Sequence, residues 1–181
     1  MKNYIEPYIW TAKVFNDDRG SFSPSFFPSE FNGFEVVQEN TVKTNYPYIF
    51  RGLHWQEPPY DQAKLLRCVF GNIIDFVVDI RIGSPNYGKT YYFNLSSPEN
   101  WLYVPRGFAH GYITLSNKEN LPTIVEYKVD NVYNKESERG MFLTKECFEI
   151  INKALPIGET VKMNDRDLKW PTIDNIVSIF E

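Results

Sequence analysis

Ala63-Lys-Leu-Leu-Arg-Cys-Val-Phe70, Gly71-Asn72 and Ile73-Ile-Asp-Phe-Val-Val-Asp-Ile80 follow one another without a break. Two apolar runs of strand length flank a Gly-Asn pair, which predicts a β-hairpin. The same rhythm extends in both directions. Asn16–Gly20 reads as a turn, Phe34–Gln38 as a strand, Asn45-Tyr46-Pro47 as an interruption and Phe50–Trp55 as a strand. Pro58-Pro59 marks a loop and Gly83–Gly88 a further turn. Thr90–Leu95, Trp101–Val104, Gly111–Leu115 and Thr123–Val132 continue the series. Short strands at this spacing predict an all-β sandwich or barrel. The 12 tyrosines and 14 phenylalanines suit strands, where rings pack across a pleated surface. One segment breaks the rhythm. Thr144–Leu155 places Cys147, Phe148, Ile151, Ala154 and Leu155 on one face at helical spacing, which predicts a short amphipathic helix packed outside a sheet.

Composition narrows the classes of function. The chain has 181 residues, 43% of them apolar, and reads as one domain over 1–181. The formal net charge of -4 and the lack of any Lys/Arg run argue against nucleic acid binding through a basic face. A compact anionic ligand, which needs only a few local cations, remains open. Cys68 and Cys147 are the only cysteines and form no Cys-x-x-Cys pair, so free thiols and a reducing cytoplasm are expected. The opening Met-Lys-Asn-Tyr-Ile-Glu-Pro has no apolar signal core, and no apolar stretch approaches the roughly 18 residues of a membrane span. A cytoplasmic protein without membrane contact is the expectation.

The chain holds two histidines, each in an unusual run. His54 lies in Arg51-Gly-Leu-His-Trp-Gln56, with Gln62 and Lys64 just beyond the Pro58-Pro59 loop. His110 lies in Val104-Pro-Arg-Gly-Phe-Ala-His-Gly111. An imidazole beside two cations suits an anionic substrate with an acidic C–H bond. The histidine takes the proton and Lys64 stabilises the charge that develops on oxygen. A salt-bridged strand end with a satisfied histidine is the structural alternative. Arg51 and His54 stand an odd number of positions apart, so they face one site only if a bulge or twist intervenes. In Thr123–Val132 strand parity puts Tyr127 on the same inward face as Val125 and Val129, where its hydroxyl needs a partner or a pocket. The opposite face, with Glu126 and Lys128, is mostly polar. Two histidines cannot form a three-histidine metal site, and Glu57 is the only carboxylate close after His54, so no metal is expected.

Taken together these motifs resemble the dTDP-4-dehydrorhamnose 3,5-epimerase family. The resemblance is carried by Asp18-Arg19-Gly20, Val37–Asn40, Arg51–Gln56, Gln62–Arg67, Val78–Pro85, Gly88-Lys89, Leu95-Ser96, Glu99-Asn100, Val104–Gly111, Glu126–Lys128, Asn164-Asp165 and Trp170-Pro171, in the family's order. It implies a cupin-type double-stranded β-helix, a homodimer, and chemistry without metal or organic cofactor. It also implies proton abstraction beside a sugar ketone, followed by reprotonation on the opposite face. By the same resemblance His54 is the general base, Tyr127 the general acid and Lys64 the cation that stabilises the enolate. Arg19 and Arg51 contact diphosphate or sugar. Gln38, Asn40 and His110 lie in the sugar pocket, Tyr133 stacks on the nucleotide base, and Glu138 contacts substrate.

The chain also departs from the pattern. Pro24 stands where the family usually has a glutamate, and an additional stretch lies at about 141–162. The family ends on a lysine that contacts substrate, followed by an aspartate that orients the histidine. Alignment on Val177-Ser178 gives Phe180 and Glu181 for that pair, so Glu181 is the expected orienting carboxylate. The implied substrate is a nucleotide-linked 4-keto-6-deoxyhexose, foremost dTDP-4-dehydro-6-deoxy-D-glucose. A 3-only or 5-only epimerase, another nucleoside diphosphate sugar, and a non-catalytic sugar-nucleotide-binding cupin are the alternatives.

Overall fold

The computed structural model describes residues 5–31, 33–116 and 121–180. Its strands are β1 (Tyr8–Thr11), β2 (Phe15–Asp17), β3 (Gly20–Phe22), β4 (Gln38–Thr44), β5 (Phe50–Gln56), β6 (Lys64–Phe70), β7 (Ile73–Asp79), β8 (Thr90–Leu95), β9 (Asn100–Val104), β10 (Phe108–Thr114), β11 (Thr123–Val129) and β12 (Glu138–Gly140). One helix, α1 (Lys145–Ala154), follows. Two five-stranded sheets are built in the orders β1-β9-β6-β11-β4 and β12-β5-β10-β7-β8, and every pairing between named strands is antiparallel. This is a cupin-like jelly roll. Among the described residues no helix is long and apolar enough to cross a membrane.

The central strands form where predicted, but they do not make a hairpin. β6 pairs with β9 and β11, whereas β7 pairs with β10 and β8. Gly71-Asn72 carries the chain from one sheet to the other. Gly71 has φ +94°, and a Cβ on it would sit 2.6 Å from Thr123 Oγ1. A Gly-Asn pair between apolar runs marks a tight reversal, and that local signal does not say whether the flanking strands pair or diverge.

β7 is buried along its whole length because both of its faces are covered. Ile74, Phe76 and Val78 join Phe50, Leu53 and Trp55 in a cluster with Cys147 and Ile151 of α1, so the helix packs on the outside of the second sheet. Ile73 and Val77 point inward, toward Leu66, Leu102, Phe108 and Val125. Asp75 shares that inward face and is fully buried. The helix begins at Thr144, whose side chain accepts the Cys147 backbone N–H at 3.1 Å, a cap of about 1 kcal/mol.

The strand expected at Phe34–Gln38 starts only at Gln38. Phe34 instead packs with Phe31, Leu65 and Trp101 against the outside of the first sheet. The outer face of β11 is accordingly less open than its polar residues suggest. Lys128 is buried over the Phe26 and Trp101 rings and paired with Glu39.

Candidate active site

A cavity of about 280 Å³ opens between the two sheets, walled by β4, β5, β6, β10, β11 and β12 and by the segment 164–167. Arg51, His54, Lys64, His110, Tyr127, Tyr133 and Glu138 all line it. The β5–β10 register explains how Arg51 and His54 face one space. His110 pairs with His54, but Tyr112 pairs with Arg51, so β5 carries one extra residue in between. Gly52 at that bulge has φ +123°, and a Cβ there would lie 2.6 Å from Gly111 Cα. Only glycine fits so close an approach at that φ.

His54 is held by a carboxylate. Its Nε2 lies 2.7 Å from Asp167 Oδ1, and the Asp167 side chain is fully buried. Asp167 Oδ2 accepts from the Gly52 N–H at 3.3 Å and from Asn164 Nδ2 at 3.2 Å, and Asn164 Oδ1 accepts the Asp167 backbone N–H at 2.7 Å. Burial pushes the Asp167 carboxyl up, but the His54 and Gly52 hydrogen bonds and the Arg166 charge more than offset it and leave it below the ordinary range. The ionised carboxylate takes the hydrogen on His54 Nε2, so Nδ1 is the nitrogen free to accept a proton. Trp170 meets the His54 ring edge-on, with centroids 6.4 Å apart, and its indole fills the space beside Gly140 where a Cβ would collide.

His110 repeats the pattern. Its Nε2 lies 2.9 Å from Asp75 Oδ2, and Asp75 is fully buried. Burial pushes the His110 imidazole down and the Asp75 carboxyl up, each opposed by attraction between the two. Among the described residues, no group of three or more His, Cys, Asp or Glu side chains is arranged to hold a metal ion.

Lys64 enters from β6 between Val104 and Val129. Burial drops its ammonium to about 8, tempered by Asp75 and Glu138. Tyr127 enters from β11, and burial raises its phenol, with Glu138 adding to the rise and Arg51 opposing it. At the mouth the Tyr133 hydroxyl donates to Glu138 Oε2 at 3.0 Å. Tyr112 also lines the cavity, and its buried hydroxyl has no hydrogen-bond partner among the described residues.

Three expected residues lie outside these walls. Gln38 and Asn40 sit on β4 on the same face as the wall residue Val42, where Gln38 Nε2 donates to Asn40 Oδ1 at 2.6 Å. Arg19 lies at the tip of the β2–β3 hairpin, 85% exposed and paired with Asp17 at 2.6 Å. Glu181 is outside the described residues, and the carboxylate on His54 is Asp167. The signal for it was present in the sequence: Arg166-Asp167 has the basic-then-acidic order of the family's closing pair and sits between Asn164-Asp165 and Trp170-Pro171. Asp75 was also visible, as an acid on the inward parity of an apolar run.

A carboxylate-held imidazole, a tyrosine and a buried lysine share one jelly-roll cavity, and these are the kinds of group that acid–base isomerisation uses. A profile of dTDP-4-dehydrorhamnose 3,5-epimerase matches residues 4–175. The dTDP-4-dehydrorhamnose 3,5-epimerase of Shigella flexneri is 39% identical over 166 residues, 88% of this chain and 87% of that one. The Bacillus anthracis enzyme of the same name, solved with TDP and PPi bound, superposes with a TM-score of 0.80 at 31% identity, covering 95% of this chain and 97% of that one. A Legionella pneumophila dTDP-6-deoxy-D-glucose-3,5-epimerase, solved with dTDP-4-keto-L-rhamnose, gives 0.81 at 29% identity over 94% and 89% of the two chains. The chain belongs to the dTDP-4-dehydrorhamnose 3,5-epimerase family of isomerases.

Proposed function

We propose that the protein inverts C3 and C5 of dTDP-4-dehydro-6-deoxy-D-glucose by proton abstraction and reprotonation. The observation that carries this reading is the 2.7 Å His54–Asp167 contact in a cavity that also holds Lys64 and Tyr127. The C4 ketone makes the neighbouring C–H bonds acidic. His54 Nδ1 takes the proton, and the Lys64 ammonium faces the oxyanion of the enolate. Tyr127, from the opposite sheet, gives its hydroxyl proton to the other face; His54 passes its own proton to solvent, and solvent reprotonates the Tyr127 phenolate. Arg51, His110, Tyr133 and Glu138 contact the sugar, diphosphate and base, with Gln38 and Asn40 extending the β4 wall toward the mouth. The 31%-identical B. anthracis structure with TDP bound supports a dTDP-linked substrate.

A homodimer accounts for Arg19. Its hairpin contributes no wall residue to the chain's own cavity and carries exposed Phe15 and Phe22, which supports a second copy as the partner whose substrate it reaches. The buried free thiols of Cys68 and Cys147 support a reducing, cytoplasmic setting.

Incubation with dTDP-4-dehydro-6-deoxy-D-glucose in deuterated buffer tests the reading. Deuterium at both C3 and C5 of an inverted product is expected. Label at one carbon alone indicates a monoepimerase, and no label overturns the proposal.

A further inference from the structure

Arg166 touches three groups of the site at once. Its Nη1 donates to Glu138 Oε2 at 2.8 Å, its Nε lies 3.5 Å from Asp167 Oδ1, and its Nη2 lies 3.4 Å from His54 Nε2. The last approach is not an ordinary hydrogen bond. The hydrogen on Nε2 is committed to Asp167, so Nε2 offers no lone pair to a guanidinium donor. Arg166 therefore meets the ring as a charge. A cation beside an imidazole disfavours its protonated form, and a carboxylate favours it.

His54 sits between these opposing influences. Asp167 pulls toward the imidazolium from one side, while Arg166 pushes against it from the same loop. The other titratable and charged groups around the ring in the cavity are Arg51 on its own strand, His110 and Glu138 on the neighbouring strands, and Lys64, Tyr127 and Tyr133. Arginine has two properties this position uses: it keeps its charge at every working pH, and its planar fork reaches Glu138 and His54 together.

We propose that Arg166 is a positioning residue that acts through His54: its fixed charge opposes the pull of Asp167 toward the imidazolium, and Glu138 holds the guanidinium in the place where it does so. Without Arg166, the attraction of Asp167 for the imidazolium would act unopposed from that side. The role deepens the epimerase reading and rests on it for its catalytic meaning, though the charge balance itself exists without substrate.

Two measurements on the intact protein separate the inference from that reading. The first follows the His54 ring by NMR as pH is varied without ligand, assigned with a His110→Asn variant because the chain has two histidines. In Arg166→Gln the pH at which His54 takes up a proton should rise by about one unit, the usual effect of removing a charge at contact distance. Arg166→Lys should move it less, and Glu138→Gln should not raise it. An unmoved midpoint in Arg166→Gln overturns the inference whatever the substrate is. The second is the pH profile of kcat/KM with dTDP-4-dehydro-6-deoxy-D-glucose. The acid limb of Arg166→Gln should rise by the same unit, giving about a tenfold loss on the acid side of the wild-type limb that fades on its alkaline side. A raised KM with an unmoved limb would make Arg166 a substrate contact only. If the wild type shows no turnover while the NMR midpoint moves as expected, the epimerase reading fails and the charge balance stands.

Discussion

His54 on β5 and His110 on β10 are register partners across one antiparallel pair, and each has its Nε2 bound to a buried carboxylate of a different segment. The bulge at Gly52 separates them in role. It turns His54 and Arg51 to one cavity and brings the Gly52 N–H to Asp167, while Asp75 reaches His110 from β7. Two chemically similar pairs thus sit side by side with different exposure: the His54 side chain is 21% exposed and that of His110 12%.

Replacing Asp167 by Asn keeps the size and most hydrogen bonds but removes the charge that fixes the His54 tautomer. Turnover should fall by about two to four powers of ten, with far-UV circular dichroism unchanged. A fall of less than threefold would mean that another group orients the ring.

Lys64 gives a prediction in pH. Its ammonium loses its proton near pH 8. The charge proposed to stabilise the enolate is present below that pH and lost above it. The turnover rate should therefore fall on an alkaline limb near 8. Lys64→Met should be slow throughout and lack that limb, and a wild-type rate that stays flat to pH 10 would remove Lys64 from the role.

Gly52→Ala tests the bulge. An alanine at φ +123°, 2.7 Å from His110 O, forces the β5–β10 pair apart. The cost should be about 2 kcal/mol or more in chemical denaturation, together with loss of activity. A stable, active variant would show that the strand accepts a side chain there.

Tyr112→Phe removes a buried hydroxyl that has no partner among the described residues. Stability should stay level or rise by up to about 1 kcal/mol, because an unsatisfied buried donor is a cost to the fold. A drop of that size in a thermal or urea melt would reveal a partner for the hydroxyl.

The strands were legible because alternation and turn residues are local. Thr90–Leu95 matches its predicted bounds, and the helix was visible from the spacing of Cys147 and Ile151. Sheet assignment was not legible at Gly71-Asn72, where pairing depends on partners far along the chain. The inward position of Tyr127 followed from parity. The shared orientation of Arg51 and His54 did not, because parity fails at a bulge. Asp167 was missed because its link to His54 spans more than a hundred residues, and alignment on the chain's last segment drew attention to Glu181 instead.

The central claim is that His54 removes the proton and Tyr127 replaces it from the opposite face. Solvent deuterium exchange into dTDP-4-dehydro-6-deoxy-D-glucose, compared between His54→Ala and Tyr127→Phe, tests it most directly. Tyr127→Phe should still exchange deuterium at C3 and C5 but without inversion, and His54→Ala should neither exchange nor invert. Wild-type exchange in His54→Ala would contradict the account.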